Sequence, residues 1–171
     1  LKIKRDLNLL LIDAELGFGN SHLLPLGPLR EPLESAERAD AVIITKSNLG
    51  NFDEVFQTVL KFKRDDCQVF RFDYRIEKIT SLDGQEEKET FELKGKRLLL
   101  SSGIANPQSF SQLLNLEEGC PVAEMRFEDH HNYSDFSIRN LIEQVNKTPH
   151  DFWLTTETDA FKLQSLQQQR K

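Results

Sequence analysis

Two short apolar runs near the start of the chain constrain its fold more than any other feature. Residues 7–12 form an uninterrupted apolar stretch that ends at Asp13, and residues 41–45 repeat the pattern with β-branched side chains. Strands without polar alternation are typical of a parallel sheet that is covered on both faces. Apolar residues then recur at helical spacing from Phe52 to Phe62, so the sequence predicts a parallel sheet with a flanking helix.

The middle of the chain alternates apolar and polar residues, as half-buried strands do. The alternation occurs in residues 69–74, 76–81 and 90–93, and Leu82-Asp83-Gly84 carries a turn signal. We therefore predict a β-ribbon with a polar tip at residues 85–89, which would connect two lobes.

A second α/β unit is predicted after the ribbon. Pro107 suits the first turn of one helix, and Ser134 suits the N-cap of another. The predicted strands are residues 97–101, 122–127 and 152–155, and the predicted helices are residues 107–114, 134–145 and 160–166. The helix after Ser134 is expected to turn five side chains inward: Phe136, Ile138, Leu141, Ile142 and Val145. Residues 167–171 are expected to form a frayed polar end.

Strands that alternate with helices predict the α/β class, with a parallel or mixed sheet and flanking helices. The chain would then contain the end of an N-terminal lobe (residues 1–66), the β-ribbon connector (residues 67–95) and a C-terminal α/β lobe (residues 96–171). Since the chain opens at Leu1 almost directly into a strand, and Met125 is its only methionine, we expect the N-terminal part of a longer protein to be missing.

Composition excludes two classes of function. The formal net charge of −6 argues against a nucleic-acid surface, because phosphate binding needs clustered lysines and arginines. No apolar run approaches the roughly 20 residues of a membrane helix, and 29% charged residues are typical of a soluble globular chain. Cys67 and Cys120 are far apart, which favours free thiols in a reducing cytosol.

A Gly- and Pro-rich segment, residues 19–32, follows the first predicted strand, which is where open α/β sheets bind ligands. Arg30 offers a guanidinium suited to a phosphate, and Glu31 could hold a metal-bound water or orient Arg30. The alternative is a rigid surface loop with a solvated Arg-Glu pair.

Three further polar segments follow predicted strands of the second unit. Asp129, His130 and His131 place imidazoles beside a carboxylate, and only one of two adjacent histidines is expected to face a site; the alternative is a surface turn before a helix. Residues 102–107 could receive an anion at a helix N-terminus or form a plain turn. Residues 155–160 are expected to cap the next helix more readily than to act in catalysis.

Taken together, these segments resemble the tetraacyldisaccharide 4'-kinases, the lipid A 4'-kinase family, over nearly the whole chain. The most specific combination is Pro28-Leu29-Arg30-Glu31-Pro32 with Asp129-His130-His131. The other matching motifs are Arg5-Asp6-Leu7, Asp13-Ala14, Gly19-Asn20, Leu23-Leu24-Pro25, Arg38-Ala39-Asp40-Ala41, Gly103-Ile104-Ala105-Asn106-Pro107 and Thr155-Thr156-Glu157-Thr158-Asp159-Ala160.

The resemblance implies a kinase that uses ATP and Mg²⁺ to phosphorylate the 4'-hydroxyl of a lipid A disaccharide precursor at the cytoplasmic face of the bacterial inner membrane. It implies the fold of a P-loop kinase, with membrane contact through the missing half. Arg30, Glu31 and Asn20 would line the nucleotide and metal side, and Asp129, His130 and His131 the catalytic side, where one histidine would support a catalytic aspartate in the missing half. Accessory roles would fall to Asn106, Thr156, Glu157 and Asp159.

Three departures from the family pattern bear on what this chain can do alone. It contains no G-x-x-x-x-G-K-[ST] phosphate loop, and no Asp-Asp-Gly-Phe-Gln-His metal-binding segment, which is expected immediately before Leu1. Thr158 replaces a lysine that is frequent in the family. We therefore expect the chain alone to be inactive, with no metal ligand of its own, since phosphoryl transfer needs a phosphate cradle, Mg²⁺ and a positioned base.

Two other functions remain as alternatives. A non-catalytic nucleotide-binding or interaction module would account for the absent phosphate loop. An Asp-His-His metal phosphoesterase would need further aspartates on other strand ends, and Asp13 and Asp73 are available without a matching spacing.

Overall fold

The structure, a computed structural model, describes the backbone of residues 5–168 and the side chains of residues 5–164. Residues up to Tyr74 belong to one compact unit and residues from Arg75 to a second. The predicted frayed end falls partly outside the described residues, and its first two residues continue the last helix.

The first unit is a parallel sheet with one helix packed on it. Strands β1 (Leu9–Asp13), β2 (Ala41–Thr45) and β3 (Gln68–Arg71) pair in the order β1-β2-β3. Helix α1 (Phe52–Phe62) begins at Asn51, whose side chain accepts a hydrogen bond from the Glu54 N–H. Its inward face packs on the sheet in a core of buried residues: Ile12, Ala14, Ala39, Val42, Ile44, Val55, Val59 and Cys67.

The opposite face of this sheet is open. Leu11 pairs with Ile43, which pairs with Phe70, and the side chains of Leu9, Leu11 and Phe70 are 50%, 62% and 44% exposed. The prediction that the first strand is buried on both faces is therefore wrong for β1 in this chain, because only Leu10 and Ile12 turn towards the core.

The second unit is built on another parallel sheet, β7-β6-β8, with β6 (Arg97–Ser102) in the centre. Strand β7 (Cys120–Arg126) and strand β8 (Phe152–Thr155) flank it, and Leu98, Leu99 and Leu100 of β6 are fully or almost fully buried. The helices of this unit are α2 (Pro107–Leu116), α3 (Asp135–Lys147) and α4 (Glu157–Gln168). The predicted α/β class with parallel sheets and flanking helices is confirmed.

The predicted ribbon is shorter than the sequence suggested. Only β4 (Ile79–Thr80) and β5 (Glu87–Lys88) pair antiparallel, and Thr90–Leu93 is a 3-10 helix rather than a strand. The segment that begins the predicted ribbon is β3, which pairs parallel with β2 instead. The division into two lobes and a connector stays a prediction.

Helix α3 corrects a second expectation. Ser134 caps it as predicted, since its hydroxyl accepts from the Ser137 N–H, and Ile138 and Leu141 are buried. Phe136 and Ile142, expected to face inward, are 72% and 47% exposed. The helix rests on the sheet along a narrow stripe, so apolar residues beside that stripe stay on the surface.

Candidate functional site

Three loops of the second unit meet just beyond the end of β6. The Gly103 N–H donates to Asp159 Oδ2 at 2.8 Å, and the Gly103 carbonyl accepts from the His130 N–H at 3.1 Å. A Cβ atom at Gly103 would lie 3.1 Å from both Asp159 Oδ1 and the His131 Cβ. Glycine therefore lets the loops after β6, β7 and β8 close on one another, and the three segments singled out in this unit's sequence lie together.

The side chain of His131 is held on several sides within the histidine turn, residues 127–133. Its ring stacks on Phe127 with centroids 4.9 Å apart and meets the Tyr133 ring edge-on at 5.0 Å. Its Nε2 lies 3.1 Å from the Ser137 hydroxyl, and its carbonyl accepts from Lys162 Nζ at 3.1 Å. Its Nδ1 makes no hydrogen bond to the residues that the structure describes, so this nitrogen is left for an outside partner.

His130 has the opposite environment. Its side chain is 86% exposed, and its Nε2 lies 3.8 Å from Asp129 Oδ2, a carboxylate that is itself half-exposed. Its backbone φ of 56° lies in the left-handed region, which turns the side chain away from the packed ring of its neighbour. The structure thus separates two histidines that the sequence could not rank.

Asp159, at the first turn of α4, is fully buried. Its Oδ2 accepts from the Thr156 hydroxyl at 2.7 Å, and the Asp159 N–H donates back to that hydroxyl at 3.3 Å. Thr156 therefore caps α4, as the sequence favoured for this segment, while Asp159 also reaches the loop after β6.

A tyrosine beside this carboxylate is also buried. Neither Tyr133 Oη nor Asp159 Oδ1 makes a geometrically satisfactory hydrogen bond within the described part of the chain. Burial, and after it the charge of Asp159, raises the pKa of Tyr133 well above its usual value.

Two other predicted accessory residues lie at helix starts. The Asn106 side chain accepts from the Ser109 N–H at 3.3 Å and so caps α2. Glu157 is exposed at the start of α4. Sequence reasoning missed Lys162, one turn after Thr158 on α4, whose ammonium donates to the His131 carbonyl at this site.

In the first unit, Asn20 serves its own loop. Its Nδ2 donates to the Leu26 carbonyl at 2.8 Å, and its Oδ1 accepts from the His22 N–H at 3.2 Å. Gly27 leaves room for this contact, since a Cβ there would lie 2.1 Å from Asn20 Oδ1. A direct role of Asn20 at a nucleotide or metal stays a prediction.

Arg30 and Glu31 line an open groove of about 980 Å³ beside β1. Arg30 is exposed and makes no hydrogen bond or ion pair with the described residues, whereas Glu31 pairs with Arg38 at the end of the 3-10 helix Leu33–Arg38. Arg5 also lines the groove, so three guanidinium groups face one open space with one carboxylate. Such an excess of positive charge suits a polyanion.

Sequence reasoning missed Lys46, which follows β2. Its ammonium lies 2.7 Å from Asp13 Oδ2 and 2.8 Å from Glu15 Oε2, and its φ is 52°. Burial alone would lower the pKa of Lys46, but the hydrogen bonds and charges of Asp13 and Glu15 outweigh it and raise the pKa. The cluster ties the ends of β1 and β2 together.

Among residues 5–168 no three His, Cys, Asp or Glu side chains gather as a metal site. No helix in the same range is long and apolar enough to cross a membrane.

Comparison with known proteins identifies the family of the chain. The tetraacyldisaccharide-1-phosphate 4'-kinase family profile matches residues 1–171. The chain belongs to this family. A tetraacyldisaccharide 4'-kinase of Bdellovibrio bacteriovorus is 32% identical over 96% of the chain, and one of Desulfatibacillum aliphaticivorans is 35% identical over 95% of it.

A solved structure of the family has the same fold. The chain superposes on LpxK from Aquifex aeolicus, crystallised in complex with ATP, with a TM-score of 0.61 and 30% identity over 94% of the chain. The matches cover 48% of the Bdellovibrio relative, 45% of the Desulfatibacillum relative and 44% of the Aquifex chain. The chain thus spans about half the length of the family members it matches. The match along the whole chain favours the kinase interpretation over the metal phosphoesterase.

Proposed function

We propose that this chain is the C-terminal part of an ATP-dependent kinase that phosphorylates the 4'-hydroxyl of the tetraacyldisaccharide 1-phosphate precursor of lipid A. The observation that carries the proposal is the family match over residues 1–171. The N-terminal half of the same protein would supply the phosphate loop, the catalytic carboxylate and the contact with the cytoplasmic face of the inner membrane.

The open groove beside β1, which Arg5, Arg30 and Arg38 line, fits the nucleotide side of such a kinase. Bound ATP and Mg²⁺ would supply the phosphoryl group and neutralise charge on the phosphates. Arg30, which is exposed and makes no hydrogen bond or ion pair with the described residues, would bind a phosphate oxygen through charge-assisted hydrogen bonds. Glu31 would orient the nearby cations or hold a metal-bound water, and Mg²⁺ commonly takes only one or two carboxylates when it also binds phosphates.

The histidine turn fits the acceptor side. The ring of His131 is fixed by Phe127, Tyr133 and Ser137, and its Nδ1 is left for a partner. An imidazole fixed in this way would hydrogen-bond a carboxylate of the N-terminal half and keep it oriented to take the proton from the 4'-hydroxyl. Asp129 and His130 would shape the polar rim of the site.

The test uses the complete protein from the same gene, with ATP and the lipid precursor. We expect Arg30→Ala to lower kcat/KM about 10- to 100-fold, since a hydrogen bond to a charged group is worth about 1.5–3 kcal/mol. The melting temperature should change little, because an exposed arginine contributes little to folding. Arg139→Ala, on the exposed face of α3, is the matched control and should leave both values near wild type.

Two results would contradict the proposal in different ways. A complete wild-type protein without ATP-dependent turnover would overturn the assigned activity. A loss of melting temperature in proportion to the loss of turnover in Arg30→Ala would make Arg30 a structural residue. The 171-residue chain alone is the negative control, and we expect no turnover from it.

A further inference from the structure

Asp159 is buried more completely than a place in the first turn of α4 requires. An acidic residue in the first turn of a helix can remain at the surface, yet the exposed fraction of Asp159 is 0%. Burial of a carboxylate costs several kcal/mol unless donors compensate for it. Its location therefore needs an explanation beyond the start of the helix.

The contacts of Asp159 reach both other loops of the site. Oδ2 accepts from the Gly103 N–H at 2.8 Å, and the Gly103 carbonyl in turn accepts from the His130 N–H. On the other side of the carboxylate, Lys162 Nζ lies 3.9 Å from Oδ1 and donates to the His131 carbonyl at 3.1 Å. Asp159 is thus linked to the backbone of both histidines.

A buried tyrosine packs on the ring of His131. The Tyr133 ring meets the His131 ring edge-on, with centroids 5.0 Å apart, and Tyr133 is itself buried. Asp159 is therefore linked to the His131 backbone through Lys162, while Tyr133 packs on the His131 ring without a hydrogen bond to the carboxylate.

We propose that Asp159 is a positioning residue that holds His131 in the orientation needed for phosphoryl transfer; the proposal rests on the proposed function. It acts through Gly103 and Lys162 and does not itself touch the substrate. Loss of its carboxylate loosens the histidine turn but leaves the His131 imidazole and the substrates in place.

The chain offers a matched control at the opposite end of the same sheet. Asp151 precedes β8, accepts from the Arg97 N–H at 2.8 Å and pairs with the Arg97 guanidinium at 2.9 Å. Asp151 and Asp159 thus each join the β8 side to β6 through a carboxylate–backbone bond. Only Asp159 does so beside the histidines.

The experiment measures kcat, the KM values for ATP and for the lipid precursor, and the melting temperature of the complete enzyme. The variants are Asp159→Ala, Asp159→Asn, Asp151→Ala and His131→Ala. We expect Asp159→Ala to lower kcat about 10- to 100-fold with both KM values within about twofold, the signature of an interaction that matters in the transition state. Asp159→Asn, which keeps an acceptor for Gly103, should recover part of the loss. Asp151→Ala should lower the melting temperature and leave kcat within about twofold.

A double variant separates positioning from mere stability. If Asp159 acts through His131, Asp159→Ala should lower kcat by less than about twofold in the His131→Ala background, whereas independent roles give additive free energies. If Asp159→Ala does not fold, Asp159→Asn replaces it in the same comparison. The positioning role is overturned if kcat is unchanged in the Asp159 variants, or if the loss in the double variant is additive. The proposed function still stands in that case, provided that the wild type is active and His131→Ala is impaired. An inactive wild type overturns the proposed function itself.

Discussion

His130 and His131 occupy opposite environments on one turn, and this difference predicts different outcomes of substitution. His131→Ala in the complete enzyme should lower kcat about 10²- to 10⁴-fold, the usual contribution of an acid–base group, with KM for the lipid little changed. His130→Ala should stay near wild type, because its side chain is 86% exposed. Steady-state kinetics with purified lipid precursor measures both.

The melting temperatures of His130→Ala and His131→Ala must be measured as well. The His131 ring packs on Phe127 and Tyr133, so its removal can also lower stability. In His131→Ala, the fold decrease in kcat should be at least about ten times the fold decrease in the amount of folded enzyme. If His130→Ala and His131→Ala have equal turnover, or if only KM changes, the histidine turn has a structural role and no catalytic one.

Single residues show where sequence reasoning reaches its limit. Arg30 and the pair His130 and His131 could be selected as candidates from residue type and position after a strand, but the two histidines could not be ranked. The sequence also did not show that the Asn20 side chain closes its own loop onto Leu26. Lys46 and Lys162 were missed because ordinary surface lysines have the same local sequence. Only the approach of distant carboxylates or carbonyls distinguishes them.

At the scale of elements, periodicity predicted the helices and most strands. Periodicity failed where two kinds of strand share one pattern. Apolar and polar residues alternate in the same way in a β-ribbon and in the edge strand of a parallel sheet. Gln68–Arg71 therefore joined β2 rather than the ribbon. Periodicity also overestimated burial on β1 and α3, because apolar side chains such as Leu11 and Phe136 lie beside the packed stripe rather than in it.

The junction between β6 and β8 gives an element-scale prediction about pH. Hydrogen bonds from the Arg97 side chain and backbone lower the pKa of Asp151 to about 2, below its usual 3.8. Because the folded-state pKa is depressed, the stabilisation is present above about pH 4 and is lost as the pH falls from about 4 to 2. Asp151→Asn should lower the free energy of unfolding at neutral pH, and its difference from wild type should shrink across this window.

Urea unfolding at several pH values measures this difference. Glu143→Gln is the control, since Lys147 lowers the pKa of Glu143 within one exposed helix and no second element is joined. A difference between wild type and Asp151→Asn that stays constant down to pH 2 would contradict the assignment.

For the whole molecule, the open face of the first sheet governs behaviour in solution. Exposed apolar strands at a sheet edge are templates for association. We expect the 171-residue chain to self-associate with increasing concentration, and the combined change Leu9→Glu and Leu11→Glu to reduce this association. Leu26→Glu is the control, because Leu26 is 77% exposed but lies in the loop after β1.

Sedimentation velocity at increasing concentrations distinguishes these variants. A monomer at every concentration, or an equal effect of the loop substitution, would mean that the leucine face does not drive association.

The same face has a consequence inside a cell. Chaperones and proteases act on accessible apolar segments, and small differences in how often such segments are accessible change protein abundance severalfold. Leu9 and Leu11 present a segment of this kind even when both cores of the chain are correctly packed. We therefore expect the lifetime of the chain produced by itself to depend on quality control rather than on whether its two cores fold.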